Sequence, residues 1–297
     1  MSNEGTASID GVLALGVDAS ALEEVFGVQE ITIRTWLCRS GMQGKKLHER
    51  FMLELDLIHV QLDELWANVK RSTQDMWSWT VCDVTTKIIP VIQVGGRIQE
   101  AAYQVVHELK GRLRPGCVPV FSTDGLRHYF YALTAHFGRW ETAEGKKPVW
   151  VLVGDFLYAQ VIKHQRRRKT VEVERRMLWG DEKNYRERLK IAGLSGKINT
   201  SFVERANLTI RQCISKLTRR TWGPADYTRE LLEHLDWWRA YYHFVRFHES
   251  LAVAQAYPKQ RKGNQLPTRY RKRTPAMAAG LTLKHWTVRD LLSYPLP

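Results

Sequence analysis

Between Leu57 and Val69 apolar and polar positions mostly alternate, the period-two pattern of a half-buried strand, which predicts a strand over residues 58–69 with Asp63 at its middle. Runs of the same kind predict strands near 76–84 and 86–94, completing a meander. A helix near 97–111, a strand at 117–123, a helix near 126–137 and a strand near 148–162 follow. Three strands and then alternating helix and strand is the order of a mixed α/β layer. Phe202, Ala206, Ile210 and Ile214 recur on one helical face, so the segment around them reads as an amphipathic helix with Glu204 close to its buried stripe. Residues 163–197 are basic and weakly periodic and read as an insertion or mobile connector.

The ends of the chain follow other patterns. The first 50 residues predict three short helices, Ser8 to Leu15, Ser20 to Phe26 and Gln29 to Cys38, with Gly27 and Val28 in the tight turn before the third. Leu22, Val25, Phe26, Val28, Ile33, Trp36 and Leu37 have the spacing of a helix-turn-helix core. Thr32, Arg34, Thr35 and Arg39 would then face a major groove, and no acid stands between Ile31 and His48, where Lys45 and Lys46 add further charge. A helical protein–protein module is the competing reading of the same trio. Past Arg220, Thr221-Trp222-Gly223-Pro224 predicts a break, followed by a helix around Thr228 to Phe247. Its aromatics, Trp237, Trp238, Tyr241, Tyr242, Phe244 and Phe247, read as a core stripe, with one or two rings available to stack on an unpaired base. Pro258 to Pro275 reads as an extended basic segment that would run along DNA or clasp a second subunit. The expected organisation is therefore 1–50, 51–220 and 221–297.

Charge changes the picture. The 297 residues hold 45 Lys and Arg against 31 Asp and Glu, a formal charge of +14, which suits a polyanionic partner. Residues 160–220 carry 17 basic and 6 acidic residues, and 258–273 carry 7 basic residues and no acid, so both are expected phosphate-contacting surfaces. Arg166-Arg167-Arg168-Lys169, taken alone, reads equally well as a solvated face. Cys38, Cys82, Cys117 and Cys213 form no Cys-x-x-Cys pair, which argues against a zinc ribbon or a disulfide framework. The first residues lack a basic stretch followed by an apolar core, and Asp155 interrupts the longest apolar run, so neither secretion nor membrane insertion is expected.

Three carboxylates sit in settings that rigid elements would supply: Asp63 in mid-strand, Asp124 at the end of the apolar run Cys117–Phe121, and Glu204 on the amphipathic helix. A carboxylate at a strand's carboxyl end faces the crevice where ligands bind in open α/β sheets. Hard divalent cations want such oxygen ligands, and an in-line phosphoryl displacement clamps both attacking and leaving oxygens. Asp155 also follows an apolar run and is a weaker substitute for Asp124, because it would lie on the fifth strand.

The segments Leu62-Asp63-Glu64-Leu65-Trp66, Ser122-Thr123-Asp124-Gly125, Asn199 to Asn207 and Arg273-Thr274-Pro275-Ala276-Met277-Ala278 resemble the DDE transposases of the insertion-sequence-one type, over residues 50–285. The resemblance implies an RNase H-like mixed sheet flanked by helices, a two-ion Mg²⁺ or Mn²⁺ site on Asp63, Asp124 and Glu204, and cleavage and strand transfer at the ends of a mobile element. It also implies double-stranded DNA as partner, a homodimer or higher oligomer on that DNA, and a cytoplasmic, nucleoid-associated protein. Tyr241 to Leu251 resembles the Arg-Pro-His signature of integrase-like cores, with Phe247 in place of the usual Pro between Arg246 and His248. Arg205, Arg211, Arg271, Lys272 and Arg273 join the expected DNA contacts. Relatives that begin with a Cys-rich zinc segment differ here, so the amino-terminal reader must be of another kind. A structure-specific nuclease and a DNA-binding regulator without catalysis are the alternatives.

Overall fold

The computed structural model describes residues 3–142, 146–167, 169–218, 225–259 and 267–296. Arg168, the expected break at 221–224 and residues 260–266 of the expected extended segment lie outside the described residues. The chain forms two compact units, one of residues 1–51, 212–218 and 229–297, the other of residues 52–211 and 219–228.

The first unit starts with α1 (Asn3–Leu13), α2 (Ala19–Phe26) and α3 (Glu30–Phe51). Gly27 closes α2 in the left-handed conformation, φ 64°, where a side chain would be strained. The third helix does not stop at Cys38 as expected but continues to Phe51, 22 residues in all. Gly41 and Gly44, past the expected end, are close-approach positions. A Cβ at Gly41 would run into the Glu233 carbonyl oxygen, and one at Gly44 would lie 2.6 Å from that of Asp236.

The second unit is built on a six-stranded sheet. Its elements are β1 (His59–Ala67), β2 (Met76–Asp83), β3 (Val91–Gly95), α4 (Gln99–Arg112), β4 (Val120–Thr123) and α5 (Arg127–His136). Next come a separate two-stranded hairpin of β5 (Gly138–Glu141) and β6 (Val149–Leu152), then β7 (Leu157–Arg166), β8 (Lys169–Trp179), α6 (Glu182–Ile191) and α7 (Ser201–Cys213). The strand order is β3-β2-β1-β4-β7-β8. The first three strands and the β7–β8 pair are antiparallel, whereas β4 runs parallel to both β1 and β7.

Two expectations are corrected in this unit. The single strand near 148–162 is two strands in different sheets, because the turn at Gly154-Asp155 separates β6 from β7. Residues 163–197 are no loose connector: they hold the end of β7, the edge strand β8 and α6. Tyr185 and Leu189 of α6 are buried with Val120, Leu157, Ala159, Val161 and Ile198. Only two apolar residues of α6 face that core and β8 is largely exposed, which explains the weak periodicity.

The rest of the first unit is α8 (Thr228–Phe244), the hairpin of β9 (His248–Lys259) and β10 (Thr268–Arg273), α9 (Pro275–Ala278) and α10 (Val288–Ser293). One buried cluster joins Ile9, Leu13, Leu22, Ile33, Leu37 and Leu47 with Trp237, Ala240, Phe244, Ala276, Trp286 and Leu291. The first 51 residues therefore share a core with α8 and α10. The aromatic stripe is core at Trp237, Trp238, Tyr242 and Phe244, whereas Phe247 is exposed and stacks on His285. Val25, expected in the core of the trio, is exposed. No helix of the described residues is long and apolar enough to cross a membrane.

Candidate active site

Register brings the first two carboxylates together. Leu62 pairs with Thr123 across the parallel β1–β4 contact, so Asp63 and Asp124 stand at the same level. There β4 ends while β1 runs on, and the open edge of β1 admits side chains from both of its faces. Asp63 and its neighbour Glu64 leave opposite faces of the strand, yet both reach Asp124: one oxygen from each of the three lies within 4.8 Å of the others.

The third predicted ligand comes from α7, and two residues that sequence reasoning missed place that helix. Gln61, two positions before Asp63 on the same face of β1, accepts from the amides of Phe202 and Val203 at 3.0 and 3.1 Å, and donates to the Asn199 carbonyl at 2.7 Å. It thereby satisfies amides that a helix start leaves unpaired. Asn207, three residues after Glu204, donates to Asp63 Oδ2 at 2.9 Å. Glu204 lines the same cleft of about 750 Å³ as Asp63 and Asp124 but does not join their cluster. Its Oε1 accepts from Thr200 Oγ1 at 2.5 Å and is ion-paired with Lys163 of β7.

Glu64 has different partners. It is buried and accepts from Arg97 Nε at 2.8 Å and from Tyr129 at 3.0 Å. Its position next to Asp63 in Asp63-Glu64 was the one available signal. Asp155, the substitute ligand, is exposed in the turn before β7, at the end of the parallel strands away from Asp124.

The electrostatics match the crowding. Burial, then the charges of Glu64 and Asp124, push the Asp63 carboxyl up to about 7. Burial also raises Glu64, further raised by Asp124 and opposed by Arg97. Asp124 is raised by burial against the Leu126 amide, which donates to its Oδ1 at 3.0 Å, and against Arg97. Like charges this close disfavour ionisation, and a divalent cation relieves that repulsion while matching the all-oxygen donor set. The residues present therefore fit a hard divalent ion. Arg97, Arg127, His128 and Lys163 line the cleft beside the acids, which suits a phosphate entering it.

The remaining expected contacts are spread over both units. Thr32 is half-buried, Arg34 is paired with Glu30, and Thr35 donates to the Ile31 carbonyl, while Arg39, Lys45 and Lys46 are exposed. Arg166, Arg167 and Lys169 are exposed around the β7–β8 turn, and Arg205 is exposed on α7. Arg211 is half-buried. Arg246 donates to Cys213 Sγ, and His248 begins β9 with Nδ1 2.9 Å from Ser250 Oγ. Arg271 and Lys272 are exposed on β10, where Arg273 donates to the Leu251 carbonyl. All four cysteines are free. No protein-family model and no curated protein sequence matches the chain.

Proposed function

We propose that the chain is a DNA transposase of the Asp-Asp-Glu kind, with an RNase H-like core in its second unit and an amino-terminal helix-turn-helix in its first. The observation that carries the reading is the register placing Asp63 of β1 beside Asp124 at the carboxyl end of its parallel neighbour, with Glu204 held over the same cleft. Three antiparallel strands followed by parallel ones, in the order β3-β2-β1-β4-β7, is the RNase H-like arrangement and supports it. Double-stranded DNA is the proposed substrate, and bringing two element ends together calls for at least a dimer. The place of work is the nucleoid in the cytoplasm.

In this mechanism Asp63 and Asp124 would hold one Mg²⁺ or Mn²⁺ ion, and Asp63 and Glu204 the second. Such ions, when bound, supply Lewis-acid polarisation of the phosphoryl oxygens and stabilise the charge that builds on the leaving 3′ oxygen. The chain's own part is positional. Gln61 and Asn207 fix Glu204 and Asp63 relative to each other, Leu126 orients Asp124, and Arg97 and Arg127 draw the phosphate into the cleft. Burial of Asp63 keeps water from screening these charges.

The test is a supercoiled donor-plasmid assay in Mg²⁺ or Mn²⁺ with Asp124→Asn. Loss of both cleavage and joining, with retained DNA binding, is expected. Near wild-type strand transfer by this variant would sink the assignment, and wild-type cleavage without joining would identify a nuclease instead.

A further inference from the structure

The two carboxylates flanking the Asp63–Asp124 pair are each held by a cation, but in different ways. Glu64 is held by Arg97 and Tyr129, and its side chain is 2% exposed, so it cannot change partner without burying an unpaired charge. Glu204 and Lys163 are 40% and 37% exposed. An ion pair this accessible is weak and exchanges readily. Both Lys163 and Thr200 engage the same oxygen, Oε1. The ammonium thus stands against the carboxylate at the place where a second cation would be bound.

Resting on the reading of the cleft as a two-ion phosphoryl-transfer site, we infer that Lys163 is a positioning residue that trades Glu204 for a phosphate of the incoming DNA. Lysine is a compact point charge on a flexible stem and binds phosphate without a fixed geometry. Its neighbours along the cleft wall, Arg97, Arg127 and His128, make that wall attractive to a phosphate. When DNA enters, Lys163 swings to the phosphate and Glu204 is released to hold an ion. DNA and the second divalent ion therefore favour each other's binding, and the coupling is reciprocal. Without DNA, the lysine competes with an ion for Glu204 and weakens the second position.

The experiment is calorimetric titration of the full chain with Ca²⁺, a hard oxygen-seeking probe, with and without a short duplex, alongside Lys163→Met and Lys163→Arg. For the wild-type protein the second equivalent of Ca²⁺ should bind about tenfold more tightly when DNA is present. Lys163→Met should accept it without DNA, with an apparent affinity about tenfold above wild type, the scale on which outer partners tune metal ligands. Lys163→Arg should restore the dependence on DNA. Melting curves for each variant confirm folding. Equal affinity of the second equivalent for wild type with and without DNA, or a Lys163→Met protein that behaves as wild type, overturns the role of Lys163 and leaves the active-site reading standing. Absence of any Ca²⁺ binding that Asp63→Asn removes overturns both.

Discussion

Each unit holds an aspartate whose carboxyl is pushed upward by burial, and the two differ in their acidic neighbours. In the first unit Asp10 lines a cavity of about 890 Å³ with Thr6, Trp36, Arg39, Gln43 and Arg289, and burial raises its carboxyl to about 6. Ser40 donates to its Oδ2 at 2.9 Å, and its Oδ1 finds no partner among the described residues. In the second unit Asp63 is raised to about 7 by burial and also by two neighbouring carboxylates. The Asp10 shift records a desolvated group among packed helices. The Asp63 shift belongs to a cluster, and a bound dication would reverse it. The larger cavity holds one raised acid, whereas the smaller cleft belongs to a cluster of three carboxylates within 4.8 Å of one another.

The largest expected difference between the two is in catalysis. Asp63→Asn should lower DNA cleavage and joining by on the order of 10³-fold or more, whereas Asp10→Asn should leave both near wild type. Plasmid cleavage rates measured side by side decide this, and a comparable loss from Asp10→Asn would erase the distinction.

Next in size is packing. Gly44→Val places methyl groups against the Asp236 carbonyl and Ala240 and should destabilise the first unit by roughly 1–3 kcal/mol. Gly111→Ala on α4 meets nothing within 4 Å and should be neutral or stabilising by up to about 1 kcal/mol. Urea titrations of the two variants measure the contrast. The shared core of the first 51 residues with Trp237 and Phe244 also means that deleting them would strip α8 of its partners. Arg39→Ala with Lys45→Ala and Lys46→Ala is therefore the sound test of the amino-terminal helices as a reader of element ends, scored as weakened discrimination between end and random duplexes.

A smaller effect separates the aspartates by pH. A carboxyl raised in the fold contributes stability fully present below its unfolded pKa and lost as pH rises through the folded value. For Asp63 the loss runs from about 4 to about 7, and for Asp10 from about 4 to about 6. Asp63→Asn should thus raise the melting temperature of the metal-free protein at pH 8 by a few degrees and leave it unchanged near pH 4. Adding Mg²⁺ should stabilise the wild type more at pH 8 than at pH 6, because ions and protons compete for the same oxygens. Asp10→Asn should leave the Mg²⁺ response of the wild type unchanged; if it alters that response, the two sites are not independent.

The smallest expected change concerns the basic β7–β8 turn. Neutralising Arg166 and Arg167 should weaken DNA binding evenly across sequences and flatten the salt slope by about 0.9 for each phosphate that is no longer neutralised. An unchanged slope in salt titrations would return that turn to an ordinary solvated face.

Local pattern was enough for the elements that carry the acids. Alternation around Asp63, the apolar run before Asp124 and the 3.6-residue stripe through Ala206 and Ile210 each reflect a side chain's choice between core and water, which is written into nearby residues. Strands β1, β2 and β4 and helices α4, α5 and α7 accordingly lie where their periodicity predicts, within a few residues. Long-range contacts are another matter. Gly41 and Gly44 lie in the part of α3 beyond its expected end, and the carbonyls of Glu233 and Asp236 that require them lie about 190 residues further along. α6 and β8 were illegible because an edge strand and a nearly all-polar helix bury too little to leave a period. Sequence separates Gln61 from α7 and Lys163 from Glu204, and only the register of β1, β4 and β7 brings them into contact. The chain by itself determined which carboxylates were available; the sheet's edge decided that Glu64 would crowd Asp63 and Asp124, and that Glu204 would be held by a lysine.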